Sequence, residues 1–233
     1  MDCIHIIVWG VLLYIEKIIL LGREMNYLLF RYLFLCCLCC GFGEIFAAGT
    51  VVAWQAPKGV KLNDDFTVRI RPAEKNKWVS VPAYWVNVDE VRGTKHHVEH
   101  ASMVTFDFSG KVDIEVTYNK GKIDSARVRP LSYDIPFTIE GNTLQFSLEK
   151  PANLSVEVNG DIFHNLHLFA NPLDTFKVDK KNPDLIYFGP GIHRFEGGEF
   201  RIPSGKTVYV AGGAVMMGRM LIENGHDVKL LGR

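Results

Sequence analysis

From residue 50 onward the chain alternates between apolar and polar positions. Phe66-Thr67-Val68-Arg69-Ile70-Arg71 places Phe66, Val68 and Ile70 on one face of an extended segment, the period-two pattern of a half-buried strand. The same rule predicts strands at Trp78–Val88, Met103–Phe108, Val112–Tyr118, Ile123–Val128, Thr143–Leu148 and Leu154–Val158. Turn signals recur at roughly ten-residue spacing, as in an all-β sandwich. Ser109-Gly110-Lys111 joins two alternating runs and predicts a hairpin loop, with further turns at 119–122 and 140–142. No segment past Gly49 keeps a helical period. The sandwich is expected over residues 50–172.

Residues 171–184 interrupt the alternation with two prolines and a run of charges, so 173–183 reads as a linker. Beyond it the pattern repeats. Ile186-Tyr187-Phe188-Gly189-Pro190-Gly191 is echoed by Val208-Tyr209-Val210-Ala211-Gly212-Gly213 and again by Val228-Lys229-Leu230-Leu231-Gly232-Arg233, at offsets of 22 and 20 residues. A short strand closed by a glycine turn, repeated at near-constant spacing, predicts the first rungs of a right-handed parallel β-helix at 184–233. Gly212, Gly213 and Gly218 are expected at the corners of the coil. The third copy coincides with the end of the sequence, which predicts the front of a larger protein whose later rungs are not in this chain.

Composition changes the picture mainly at the front. Residues 1–49 are mostly apolar and hold all five cysteines, Cys3, Cys36, Cys37, Cys39 and Cys40. The folded part therefore has no disulfide framework, and CC pairs in an apolar run lack the spacing of a zinc site. Glu16 and Lys17 interrupt the first apolar run, which is weak as a membrane span. The second starts at Met25, carries Arg31 before an apolar core, and closes on Ala47-Ala48-Gly49. That is the layout of a secretory signal peptide. It predicts cleavage after Gly49 or Ala48, with Met25 a candidate true start, residues 1–24 then lying upstream of the gene product, and export to the periplasm, cell surface or medium. No stable membrane span is expected after cleavage. Lysine plus arginine and aspartate plus glutamate both number 26, so net charge points to no nucleic-acid partner.

Tyr187-Phe188-Gly189-Pro190-Gly191-Ile192-His193, the run Ile202–Val215, then Gly218, Ile222-Glu223-Asn224 and Leu231-Gly232-Arg233 together resemble the opening of the β-helix in polygalacturonase-like glycoside hydrolases (family 28 and its dextranase-type relatives). Pro151–Gly160 and Leu166–Pro172 look like the end of the β-sandwich that precedes the helix in several bacterial members. The resemblance implies a secreted enzyme of carbohydrate metabolism that hydrolyses O-glycosidic bonds in an α-linked polysaccharide such as a pectic galacturonan, without a cofactor. It implies no catalytic residue here. The family's carboxylate motifs sit on middle rungs, and none lies on a rung of this chain. Asn63-Asp64-Asp65 falls before a sandwich strand, where a turn is expected, and Gly225-His226-Asp227 precedes the third strand. The chain alone is expected to be inactive. Two alternatives stay open: a non-catalytic glycan-binding or adhesin-like surface protein, and a polysaccharide lyase.

Two constellations carry candidate binding chemistry. Lys95-His96-His97-Val98-Glu99-His100 is the densest His/Glu cluster, and His164 with His167 forms a second pair. Imidazoles at these spacings can bind zinc or copper, but no third ligand is evident, so the first reads as an exposed hairpin loop and no metal is expected. Trp54, Trp78, Tyr84 and Trp85 could stack on sugar rings or build the sandwich core. Tyr84 and Trp85, being adjacent, are expected on opposite faces. Neither glycine pair leads into a helix or a Gly-Lys-Ser/Thr, which excludes a nucleotide loop.

Overall fold

The computed structural model describes residues 49–233 apart from Gly93. The expected leader, with its cysteines, Met25 and the cleavage site up to Ala48, lies outside the described residues. Among those described, no helix is long and apolar enough to cross a membrane.

The described chain is almost wholly strand. Its first eleven strands are β1 (Thr50–Val52), β2 (Phe66–Pro72), β3 (Val79–Val81), β4 (Tyr84–Arg92), β5 (Lys95–Ser109), β6 (Val112–Tyr118), β7 (Ala126–Arg129), β8 (Phe137–Glu140), β9 (Thr143–Leu148), β10 (Ala152–Val158) and β11 (Asp161–Pro172). They divide between two sheets. One is antiparallel, in the order β3-β2-β6-β9-β8; the other runs β1-β5-β11-β10-β7 with β4 also on β5. In the second, β11 lies parallel to β5. Phe66, Val68 and Ile70 of β2 face Val104, Phe106 and Phe108 of β5 within one buried cluster, as the alternation predicts. Each such fully buried side chain contributes about 1.5–3 kcal/mol of transfer free energy.

The differences from expectation have local causes. Trp78–Val88 is two strands, because Pro82 cannot donate to a ladder and the chain steps from one sheet to the other there. Ser109-Gly110-Lys111 is a crossover and not a hairpin loop, since β5 and β6 belong to different sheets. The His96–His100 stretch is strand, the exposed start of β5 paired with β4, and not a loop. The turn at Glu140-Gly141-Asn142 does close a hairpin, with Gly141 at φ 63°.

Five more strands follow: β12 (Leu185–Phe188), β13 (Gly191–Arg201), β14 (Thr207–Val210), β15 (Ala214–Leu221) and β16 (Lys229–Gly232). They alternate between a three-stranded parallel sheet, β12-β14-β16, and a two-stranded parallel sheet, β13-β15. Side chains line up in columns: Ile186, Val208 and Leu230 form one, Tyr187, Tyr209 and Leu231 the next. Both steps are therefore 22 residues; the expected offset of 20 for the third copy is corrected by two. The shift keeps every face, because the strand period is two. It also sets Gly232 opposite Val210, where a Cβ would collide with the Val210 carbonyl. Phe188 meets Phe195 and Phe200 at ring separations of 5.8 and 5.3 Å, joining the two parallel sheets on one side. Among the described residues they do not close into a solenoid. Gly218 lies inside β15, opposite the bulge between Arg194 and Glu199, and not at a corner.

Candidate functional site: a cleft between the sandwich and the parallel sheets

Alternation on β5 sends Val104, Phe106 and Phe108 into the core and so leaves Met103, Thr105 and Asp107 on the sheet's other face. Their neighbours on β11 are His167, Phe169 and Asn171. Met103, Thr105 and Phe169 form one wall of a cleft of about 680 Å³. The opposite wall is the β13-β15 sheet, through the in-register pairs Ile192–Val215 and Arg194–Met217. Lys61, Tyr84 and Trp85 complete the rim.

Two contacts hold the walls together. The Trp54 indole lies flat against Gly212, where a Cβ would fall inside the ring system. Gly212 lies in the turn between β14 and β15, as expected, and is required there by close approach as well. The second contact joins residues 126 positions apart. Arg233 Nε donates to Asp107 Oδ2 at 2.8 Å, with Asp107 only 2% exposed. Burial pushes the Asp107 carboxyl above its usual range, against the pull of the Arg233 charge. Asp107 Oδ1 has no partner. Arg233 also reaches Asp174 at 3.6 Å, and Asp174 accepts the Tyr209 hydroxyl. Burial, then the carboxylate, push the Tyr209 phenol up to about 12. Phe176 stacks on Tyr209 at 5.0 Å, so the expected linker is strand-free yet pinned to the β12-β14-β16 sheet.

Three of the four candidate aromatics reach this cleft. Trp54, Tyr84 and Trp85 all line it; within β4, Tyr84 pairs with Met103 and Trp85 with Ser102, so the two keep the opposite faces expected of adjacent strand residues. Trp85 is already engaged, with Lys61 Nζ 3.3 Å over its ring and His100 stacked at 4.1 Å. Trp78 is elsewhere, packed under Arg69 and Arg71.

The two histidine clusters converge on the β5 sheet. His100 meets His164 edge-on at 4.6 Å, and its Nε2 donates to Asp65 Oδ2 at 3.0 Å. His164 engages Asp161 at 2.8 Å and Glu99 at 3.2 Å. The hydrogen bond to Asp161 raises the His164 pKa, against burial and with the charges of Asp161 and Glu99 adding to it. Burial alone lowers that of His167. His96 instead pairs with Asp89. Among the described residues no group of three His, Cys, Asp or Glu could hold a metal ion. Asn63-Asp64-Asp65 is a turn: Asn63 Oδ1 accepts the Asp65 amide, and Lys120 bridges Asp64 and Asp65. The His226 and Asp227 side chains pair with each other, exposed, ahead of β16, while the His226 backbone donates to Ser204 Oγ and accepts from the Gly205 amide.

Lys61, Arg194 and Asp107 belong to no motif in the sequence, and Arg233 figures there only as the last residue of the third repeat. Only Asp107 left a trace, as an acid at an outward position of an apolar strand; its partner lies too far along the chain to be guessed. The described residues lining the cleft include three cations and no carboxylate. Such a lining can hold an anion or an apolar ring face but supplies no acid–base pair for glycoside hydrolysis.

The fold is thus an all-β pairing of a sandwich with parallel strands. No protein-family model and no curated protein matches the chain. Among solved structures it is similar to Dex49A from Penicillium minioluteum, with a TM-score of 0.56 at 14% identity over 74% of this chain. The matched part spans 48% of that protein.

Proposed function

We propose that this chain is the N-terminal part of an exported protein that acts on polysaccharide, with a sandwich bracing the first rungs of a right-handed parallel β-helix. The observation that carries the reading is the in-register parallel stacking of β12, β14 and β16 directly after a two-sheet sandwich. The fold shared with Dex49A and the polygalacturonase-like phrases around Tyr187–His193 and Ile202–Val215 support it. Hydrolysis of O-glycosidic bonds is the activity proposed for the whole protein, with a pectic galacturonan or another α-linked glycan as substrate and no cofactor. The cleft described above is a binding element and not the hydrolytic centre. Export through the 1–49 leader belongs to the same reading; N-terminal sequencing of protein recovered from medium or periplasm tests it, and a start at Met1 or Met25 would contradict it.

Incubation of the protein with a panel of α-linked polysaccharides separates the readings. New reducing ends from a longer gene product, with retention but no cleavage by residues 1–233, are the expected result. Unsaturated ends would mark a lyase instead. Retention without cleavage by any longer product would favour the adhesin-like alternative.

A further inference from the structure

We propose that the cleft between the sandwich and the β13-β15 sheet is a binding site for an acidic saccharide, one bearing carboxylate or sulfate groups. The inference rests on the glycan reading above and adds a site and a ligand class to it. Of the three cations on the lining, Arg233 is neutralised by Asp107 and Asp174. Lys61 and Arg194 have no carboxylate within ion-pair distance among the described residues, and no acid lines the cleft beside them. Both border the same cleft, whose walls include Met103, Phe169, Val215 and Met217. Low-dielectric walls focus the field of such charges and raise the local concentration of an anion. The guanidinium fork of Arg194 matches a carboxylate or sulfate with two parallel hydrogen bonds.

The apolar walls say what the anion is attached to. A free inorganic ion would gain nothing from them, whereas the C–H faces of a sugar ring would. The cavity falls within the range of roughly 300–1,000 Å³ usual for small-molecule sites. Trp85 does not supply the platform, because Lys61 and His100 already occupy its ring; Tyr84, Phe169 and Met217 take that role. Lys61 is held over the indole at 3.3 Å, a position in which its charge is pre-set at the rim and not free to sweep through solvent.

The test is calorimetric titration of the full chain with oligogalacturonate, with a sulfated oligosaccharide, with the carboxyl-reduced neutral oligosaccharide and with inorganic sulfate alone. Arg194→Gln and Lys61→Gln, both exposed positions, follow. Binding of either acidic saccharide, weakened about tenfold by each variant and weakened again by salt, is expected; whichever acid binds more tightly identifies the group. Equal binding of the neutral saccharide, unchanged affinity in both variants, or inorganic sulfate binding as tightly as the saccharides would each overturn the site. Cleavage or retention of polysaccharide by a protein whose variants are unchanged would leave the glycan reading standing without this site. Arg194-dependent binding in a protein whose longer form cuts no glycan would do the reverse.

Discussion

Gly212 and Trp54 make one joint, and the energetics of each depend on the other. A methyl at Gly212 would occupy the space of the indole. Gly212→Ala is expected to cost about 1–3 kcal/mol, the usual penalty of overpacking, in urea denaturation. In a Trp54→Ala background the same change should cost little, a coupling that a double-mutant cycle reads directly. Arg233 and Asp107 make the second joint. Arg233→Ala would leave a buried carboxylate without its cation, expected to cost about 3–5 kcal/mol at neutral pH. The Asp107 carboxyl is already raised by burial, so its contribution is fullest below the ordinary carboxylate pKa and is lost as pH rises through the folded value. The Arg233→Ala penalty should therefore shrink on acidification toward about pH 4, and Asp107→Asn should relieve it. A penalty equal at both pH values would contradict the pairing. His164 has the same sign for a different reason. Its pKa is raised by Asp161 and Glu99, so its clamp is complete below about pH 6.5 and is lost as pH rises through the folded value. Unfolding midpoints should fall across that window in the wild type and stay flatter in His164→Gln.

At the scale of elements, strands were legible wherever one face is buried and one is not. Phe66–Arg71, Val112–Tyr118 and Thr143–Leu148 appear within a residue of their expected bounds, because alternation there reports real sidedness. β1, β8 and β11 were missed. β8 is exposed along its whole length, so no contrast marks it. β11 puts His167 and Asn171 on its outward face and begins with the irregular, half-buried stretch around His164, which blurs the pattern. The hairpin expected at Ser109–Lys111 failed because nothing in a turn's composition tells which sheet the next strand joins. β16 carries a prediction of its own. It pairs with β14, and Leu230 and Leu231 remain 55% and 36% exposed. An apolar strand edge of this kind invites pairing with a second copy. A protein consisting of residues 1–233 should therefore self-associate in sedimentation experiments, and Leu230→Lys should shift it toward monomer; a monomer at high concentration would contradict the exposed edge. Limited proteolysis is expected to spare residues 174–176 while Tyr209 holds Asp174 and Phe176, and to cut there in Tyr209→Ala.

On the scale of the whole molecule, the sandwich and the repeating parallel strands could be read from pattern and period, but the cleft between them could not. Its walls come from β4, β5, β11, β13 and β15, and its charged residues, Lys61, Arg194 and Arg233, are brought together only by the docking of one set of sheets on the other. The aromatics were the exception. Trp54, Tyr84 and Trp85 were flagged as sugar-binding candidates and do line the cleft, although two of them serve other contacts: Trp54 seats on Gly212 and Trp85 carries Lys61 and His100. Of the histidines in the two sequence clusters, His100 and His164 form a carboxylate-paired contact joining β5 to β11, while His96 pairs with Asp89. The most direct measurement is a crystal structure of the protein soaked with an acidic oligosaccharide. The expected result is a sugar ring against Tyr84 and Met217 with its acid group on Arg194 and Lys61; saccharide bound elsewhere, with this cleft left to solvent, would contradict it.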